Sequence, residues 1–155
     1  FARVDKQEFG DIKGITDKGY YDNSFHVSSR INMSPFEKLR LEALGHKYSA
    51  GGHISYIETD SLTKNLEAIP EILKYAKMVG IHYMGINQPV DKCHICGYKG
   101  EFTATKEGFT CPQCGNHDSN EMSVIRRVCG YLSQPNARPF NKGKQEEIMH
   151  RVKHS

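Results

Sequence analysis

The residues best suited to chemistry in this sequence are two matching cysteine pairs. Cys93 and Cys96 belong to one C-x-x-C-G turn, and Cys111 and Cys114 belong to a second. Two residues between the thiols let both sulfur atoms of a turn face one ion, and the glycine after each pair relieves backbone crowding. The spacing predicts a zinc ribbon, with four thiolates around one tetrahedral Zn²⁺ at roughly 2.3 Å. The alternatives are a coincidence of spacing and an iron centre of the rubredoxin type.

Four protein ligands would fill the coordination shell of that ion. A closed zinc site is structural rather than catalytic, and it holds a small segment with little core together. His94 and His117 lie close to the cysteines in the sequence, but four sulfur atoms leave no position for them, so we expect bystanders. Between the two pairs, residues 101–105 and 108–110 predict a short hairpin.

A second chemical candidate is the stretch RVCGYL at residues 127–132, where Gly130 lies between a thiol and an aromatic ring. Taken locally, a glycine indicates only a place where the backbone bends. Cys129 is either a reactive thiol or a small buried residue, since buried cysteine commonly behaves as a hydrophobe. His26 also has two interpretations, a catalytic group or a hydrogen-bonded histidine on a predicted strand that includes Phe25 and Val27.

The elements that must position these groups begin with a helix at residues 34–45. Ser34 can cap it, Pro35 suits the first helical position, and Glu37 completes a capping box. Gly45 ends the helix. An apolar stripe predicts its buried face, formed by Phe36, Leu39, Leu41 and Leu44.

Further along, residues 53–58 and 81–86 predict two strands, joined by a helix at residues 61–78. Pro70 should kink or split that helix, and Gly80 should end it. Strand, crossover helix and strand form a βαβ unit, which implies a parallel pair. One such unit is too little sheet to stand alone, so it fits best at the end of a larger α/β barrel or sheet.

Composition narrows the class of protein. The 155 residues suit one ordinary domain or two small ones, and no apolar run is long enough to span a membrane. Charge is balanced up to residue 91 and mildly basic after it. Two C-x-x-C pairs suggest a metal site in a reducing compartment, so we expect a cytoplasmic protein. The first residue is Phe1. Removal of a tag or propeptide is one explanation, and we expect at least as readily that the chain is a piece of a longer protein. A basic terminal helix is predicted at residues 144–154.

With these elements in place, the C-terminal part resembles the glycyl-radical segment of the anaerobic, class III ribonucleoside-triphosphate reductases. The matching stretches are RVCGYL at 127–132, RPFN at 138–141 and GKQEE at 143–147, joined to the four-cysteine ribbon. Upstream stretches are similar as well: YYDNSFH at 20–26, GGH at 51–53 and GNHD at 115–118. The resemblance covers nearly the whole chain. Phage and bacterial members are both similar, and we expect a member of T4-like phage type.

The resemblance implies that Gly130 carries a glycyl radical. By the same resemblance, an activase that uses an iron–sulfur cluster and S-adenosylmethionine would remove a hydrogen atom from Gly130. Only glycine suits this, because the Cα radical is planar and a Cβ would crowd that plane. In the family, the radical then passes to a cysteine thiyl, which abstracts the 3′ hydrogen of a ribonucleoside triphosphate, and formate is the external reductant in many members. The thiyl cysteine, a second active-site cysteine and the allosteric nucleotide domain lie upstream in the family, and Cys129 matches none of them.

The same resemblance implies a division into three parts. Residues 1–90 would be the final strands and helices of a ten-stranded α/β barrel, 91–121 the zinc ribbon, and 122–155 the glycyl radical loop and terminal helix. Partners would be the activase, the remainder of the reductase chain and a second copy in a homodimer, with no membrane and no direct nucleic-acid binding.

Two other functions stay open at this point. One is a zinc-ribbon module that binds nucleic acid, although the chain lacks a dense basic and aromatic stripe. The other is a stand-alone spare glycyl-radical subunit. The 90 residues before the ribbon count against it, because they match the barrel rather than the radical loop.

Overall fold

The computed structural model describes residues 1–22, 26–62, 65–128, 131–133 and 140–154, with backbone alone for residues 128 and 131–133. Contacts divide the chain into two compact units. One comprises Phe1–Asn23 with Val90–Arg151, and the other Ser24–Pro89 with Val152–Ser155. Among the helices that the structure describes, none is long and apolar enough to cross a membrane.

The unit that contains residues 24–89 is built on the predicted βαβ motif, and its strands are parallel as expected. Ser55 pairs with Met84, and the register continues to Glu58 opposite Asn87. The elements in order are α2 (Pro35–His46), β1 (Ser55–Glu58), α3 (Ala68–Val79) and β2 (Met84–Asn87). The core of this unit consists of five buried apolar side chains, Leu39, Ile57, Ile72, Ala76 and Ile81.

Helix α2 begins as predicted, but it buries a different face. The Ser34 hydroxyl accepts from the Glu37 amide, and the Glu37 carboxylate accepts from the Ser34 amide, so the capping box is formed. The predicted apolar stripe is wrong, because only one of its four members, Leu39, is buried. The buried residues of α2 are Lys38, Leu39, Glu42 and His46. The charged members can be buried because they contact one another.

Helix α3 is shorter than predicted and is neither kinked nor split at Pro70. It begins at Ala68, which places Pro70 in the first turn. An amide there has no partner within the helix, so proline costs little at this position. The predicted end at Gly80 is confirmed: its φ of 88° is in the left-handed region that glycine favours.

The other unit contains the ribbon. Strand β3 (Asp91–Cys93) pairs antiparallel with both β4 (Lys99–Gly100) and β7 (Met122–Ser123). The predicted hairpin is confirmed as β5 (Thr103–Ala104) and β6 (Phe109–Thr110). A 3₁₀ turn, Ser119–Glu121, leads into β7. The buried core of the ribbon consists of Cys93, Phe102, Cys111, Met122 and Val124.

Four further elements complete this unit. They are α1 (Ala2–Phe9), the antiparallel pair β8 (Arg126–Val128) and β9 (Tyr131–Ser133), and α4 (Lys142–His150). The polar, glycine-punctuated start of the chain did not predict α1. The N-cap of α4 is Asn141, whose side chain accepts from the Lys144 amide.

Two predictions at the edges of the elements need correction. The terminal helix does not reach His154, because the backbone is extended at Arg151 and His154 bonds to strand β1 at both its amide and its ring. Those two hydrogen bonds with the Glu58 backbone replace one more helical turn. No strand forms at residues 26–28, and residues 23–25, including Phe25, lie outside the described residues.

Candidate functional site

The four predicted metal ligands come together in the ribbon. Their sulfur atoms all lie within 4.8 Å of one another. Cys93 Sγ is 3.7 Å from Cys114 Sγ, and Cys96 Sγ is 3.7 Å from Cys111 Sγ. Four sulfur atoms at about 2.3 Å from a tetrahedral zinc ion would be about 3.8 Å apart. The spacing of the thiols therefore fits a zinc ion.

Two turns with the same backbone geometry present these thiols; we call them the first knuckle (residues 93–97) and the second knuckle (residues 111–115). In the first knuckle the Cys93 amide donates to Tyr98 O and the Gly97 amide donates to Cys93 O. In the second, the Cys111 amide donates to Asn116 O and the Gly115 amide donates to Cys111 O. Both glycines have φ near +70°, a conformation that side chains with a Cβ rarely adopt.

The electrostatics of the thiols favour a bound cation. The Cys96 amide stabilises the Cys93 thiolate and lowers the pKa of that thiol to about 6. The Tyr98 amide acts in the same sense on Cys96, but burial and the adjacent thiols outweigh it and raise the pKa to about 12. Four thiols this close cannot all ionise unless a cation offsets their charge.

The neighbouring histidines lie outside the four-cysteine group, as expected. His94 Nε2 lies 3.1 Å from Ser123 Oγ, and His117 Nδ1 lies 3.5 Å from Gly115 O. Both residues are exposed. Among the described residues, the group that could hold a metal ion therefore consists of Cys93, Cys96, Cys111 and Cys114.

A buried ion pair, which the sequence did not predict, joins the ribbon to strand β8. The Asp91 carboxylate accepts from the Phe102 amide at 2.8 Å and the Ile125 amide at 3.1 Å, and it pairs with the guanidinium of Arg126. Arg126 also donates to Phe102 O at 3.1 Å and lies over the ring of Phe109. Asp91 is 35 positions from Arg126 in the sequence, and no local pattern could have paired them.

Strand β8 ends at Val128, two positions before the predicted radical residue in the sequence. In the β8–β9 pair, Arg126 faces Ser133, Arg127 faces Leu132, and Val128 faces Tyr131. The two residues between Val128 and Tyr131 in the sequence are Cys129 and Gly130, which lie outside the described residues. The geometry therefore describes the two strands that flank Gly130.

The terminal helix contacts the same strand. Arg151 Nη1 donates to Arg127 O at 2.9 Å, and Arg151 Nη2 lies 2.6 Å from the Glu147 carboxylate of α4. Glu147 is buried. Strand β8 thus takes part in two guanidinium contacts. Arg151, at the end of α4, contacts its backbone, and its own Arg126 contacts the ribbon.

The other unit contains a cluster of histidines that sequence reasoning missed. The His46 ring lies 4.4 Å from that of His53, and the His53 ring lies 5.0 Å from that of His26. His26 Nδ1 is 3.6 Å from the Glu42 carboxylate, which also pairs with Lys38. Lys38, Glu42 and His46 lie on the same face of α2, and tertiary packing brings His26 and His53 to them. His26 is thus part of a buried polar cluster.

Two hydrogen bonds indicate which tautomer the neutral His46 ring adopts. His46 Nδ1 accepts from the His82 amide at 3.2 Å, so the ring proton lies on Nε2, which donates to Ser55 Oγ at 3.0 Å. Burial lowers the pKa of both His46 and His53, and neighbouring imidazoles act in the same direction. Burial alone would raise the pKa of Glu42, but contacts with His26 and Lys38 outweigh it and lower the pKa to about 2.

Comparison with known proteins identifies the family. A family model described as anaerobic ribonucleoside-triphosphate reductase matches residues 1–154. Over 154 residues the chain is 49% identical to the anaerobic ribonucleoside-triphosphate reductases of Escherichia coli (strain K12) and of Enterobacteria phage T4, with 99% of this chain covered. The matches cover 22% and 25% of those two proteins, so the chain spans at most a quarter of their length.

A solved structure titled anaerobic ribonucleotide reductase has a similar fold. The match has a TM-score of 0.69 and 23% identity, and it covers 99% of this chain and 22% of that one. The family model and the two relatives agree with the resemblance seen in the sequence. This chain belongs to the anaerobic ribonucleoside-triphosphate reductase family.

Proposed function

We propose that this chain is the radical-carrying C-terminal part of an anaerobic ribonucleotide reductase, and that Gly130 stores a glycyl radical used to reduce ribonucleoside triphosphates. The observation that carries the proposal is the family match along residues 1–154, which includes both flanking strands of Gly130. The pairing of Val128 with Tyr131 adds support, because it leaves only Cys129 and Gly130 between two paired strands.

Glycine suits the role for a physical reason. When one hydrogen atom leaves the Cα of Gly130, the unpaired electron is shared with both flanking amides only if the centre is planar. A Cβ would crowd that plane, and glycine has none. In this proposal the hydrogen atom passes to an activase that uses S-adenosylmethionine and an iron–sulfur cluster, and formate is the external reductant.

The four-cysteine group would hold a structural Zn²⁺. Cys93, Cys96, Cys111 and Cys114 would fill all four positions, so the ion would bind no water or substrate. Its contribution would be to the folding of a ribbon whose buried core is small. We place the protein in the cytoplasm, because the four cysteines are free thiols and a reducing compartment keeps thiols in that state.

The remaining residues fit a larger architecture. We assign residues 1–90 to the last strands and helices of a ten-stranded α/β barrel, 91–121 to the zinc ribbon, and 122–155 to the radical loop and terminal helix. The parallel β1–β2 pair supports the barrel. So do several exposed apolar side chains on or near α2 and α3, which the remainder of the reductase chain could cover: Leu41, Leu44, Leu66, Leu73 and Met78. The active form would be a homodimer.

The test is radical formation in the complete reductase chain, activated anaerobically with its activase. We expect a doublet in electron paramagnetic resonance, and cleavage of the chain at Gly130 after exposure to air. Gly130→Ala should abolish both signals. Gly52→Ala is the matched control, because a Cβ there meets nothing within 4 Å, and it should keep the doublet. A doublet that survives in Gly130→Ala would disprove the assignment.

A further inference from the structure

Two guanidinium groups connect strand β8 to its surroundings. The residues of β8 that take part, Arg126 and Arg127, lie within a few positions of Gly130 in the sequence. The first is the side chain of Arg126, the first residue of β8, which is directed into the ribbon and is only 8% exposed. The second is the side chain of Arg151, the residue after α4, which reaches the carbonyl of Arg127.

The contact between Arg126 and the ribbon fixes the orientation of the Arg126 side chain. Arg126 contacts the Asp91 carboxylate and donates to the carbonyls of Phe102 and Ile125, each at 3.1 Å. A planar guanidinium with several fixed donors defines an orientation, which an ammonium point charge does not. Asp91 is itself fixed, because two backbone amides donate to its carboxylate and it is only 1% exposed.

This contact also links β8 to the metal centre through a short stretch of backbone. Asp91 begins strand β3, and that strand ends at the ligand Cys93. Displacement of the first knuckle would therefore move Asp91, and with it the side chain that orients β8.

The helix contact fixes the backbone rather than a side chain. Alternate residues of an antiparallel strand direct their carbonyls away from the partner strand. The carbonyl of Arg127 accepts from Arg151, whose other nitrogen is held by Glu147 of α4 at 2.6 Å. Arg151 thus joins the end of α4 to the middle residue of β8.

We propose that Arg126 and Arg151 are positioning residues for the radical chemistry: by fixing β8 to the ribbon and to α4, they set the position of Gly130 for hydrogen-atom removal. The inference rests on the proposed function of Gly130. It assigns a role to two residues that would touch neither the substrate nor the radical.

The test uses the complete reductase with four variants: Arg126→Lys, Arg126→Met, Asp91→Asn/Arg126→Met and Arg151→Gln. For each, three quantities are measured: zinc per chain, hydrogen exchange of the amides in residues 126–133, and radical content after activation. Arg40→Met, which removes an exposed arginine, is the matched control.

We expect Arg126→Met and Arg151→Gln to raise amide exchange in β8 by roughly tenfold, the factor expected when charge-assisted hydrogen bonds are lost. Radical content should fall in both, with Arg126→Lys between wild type and Arg126→Met. The double variant leaves no uncompensated buried charge, so it should regain zinc and stability relative to Arg126→Met but not radical content.

Recovery of zinc and stability without recovery of radical content would distinguish a positioning role from a contribution to folding alone. The proposal is overturned if radical content merely follows zinc content across all four variants, or if the variants match wild type in both exchange and radical content. Failure of the proposed function looks different, because then even wild-type enzyme shows no doublet that depends on Gly130. Hydrogen exchange can be measured without the radical, so it tests the two contacts of β8 even if Gly130 carries no radical.

Discussion

The side-chain amide of Asn116 donates to Cys93 Sγ at 3.7 Å, so the residue after the second knuckle stabilises a thiol of the first. The same nitrogen donates to Glu121 O at 3.2 Å, and Asn116 Oδ1 accepts from the Asp118 amide at 3.0 Å. Three bonds therefore fix the orientation of the amide. Groups that contact a metal ligand in this way tune the affinity of the metal site.

We expect Asn116→Asp to weaken zinc binding roughly tenfold, because it replaces a donor to the thiolate with a carboxylate of like charge. Competition with a chelator measures the affinity. Asn120→Asp is the control, since Asn120 is exposed in the 3₁₀ turn and should leave the affinity unchanged. Equal zinc affinity in Asn116→Asp and wild type would contradict the role of this hydrogen bond.

A second prediction separates the fifth cysteine from the other four. Cys111→Ser should lose zinc and unfold the ribbon, because Cys111 is buried and the group of possible metal ligands among the described residues consists of the four cysteines alone. Cys129→Ser should retain one zinc per chain, since four thiols already complete the shell. Metal analysis of the purified reductase is the measurement, and zinc loss in Cys129→Ser would make Cys129 a ligand.

The features that the sequence predicted best depend on residues close together in the chain. The capping box of α2 needs only Ser34 and Glu37, and each knuckle needs only one C-x-x-C-G turn. Their geometry is set within a few residues, so spacing alone identifies them. The parallel βαβ unit followed from the order of the elements, because a crossover helix leaves few other arrangements.

The features that the sequence did not predict depend on contacts between distant residues. The apolar side chains of α2 suggested the wrong buried face, because Glu42 pairs both with Lys38 and with His26, which lies outside the helix. Asp91 and Arg126 are another such pair. Polar residues gave no signal of burial, because their burial depends on partners that the local pattern does not reveal.

A third prediction compares two carboxylates on helices. Glu42→Gln should destabilise α2 locally by about 3 kcal/mol, because Lys38 would remain buried beside a neutral side chain. Glu71→Gln on α3 removes an ion pair with Lys74 in which both side chains are exposed, and it should change stability by less than about 1 kcal/mol. Native-state hydrogen exchange of the two helices measures both. Similar effects at the two positions would show that burial of the Lys38 pair is not decisive.

The last prediction concerns pH. His46 and His53 are buried, and burial lowers the pKa of each below the ordinary value of 6.5. Between the lowered pKa and 6.5 the unfolded chain binds more protons than the folded chain, so stability falls as pH decreases through this range. The stabilising contribution of the neutral rings is complete above 6.5. Glu42 acts in the same direction at lower pH, because its pKa of about 2 lies below its ordinary value of 4.5.

We therefore expect the urea midpoint of the unit that contains β1 to decrease as the pH is lowered from 7.5 to 5.5. His53→Gln should make this dependence shallower, because it removes one group that must be neutral in the folded state. His94→Gln is the control, since His94 is exposed in the ribbon and should leave the dependence unchanged. Titration of the ring signals by nuclear magnetic resonance gives the direct check. A pKa above 6.5 for His46 or His53 would reverse the sign and show that its folded environment favours the protonated ring.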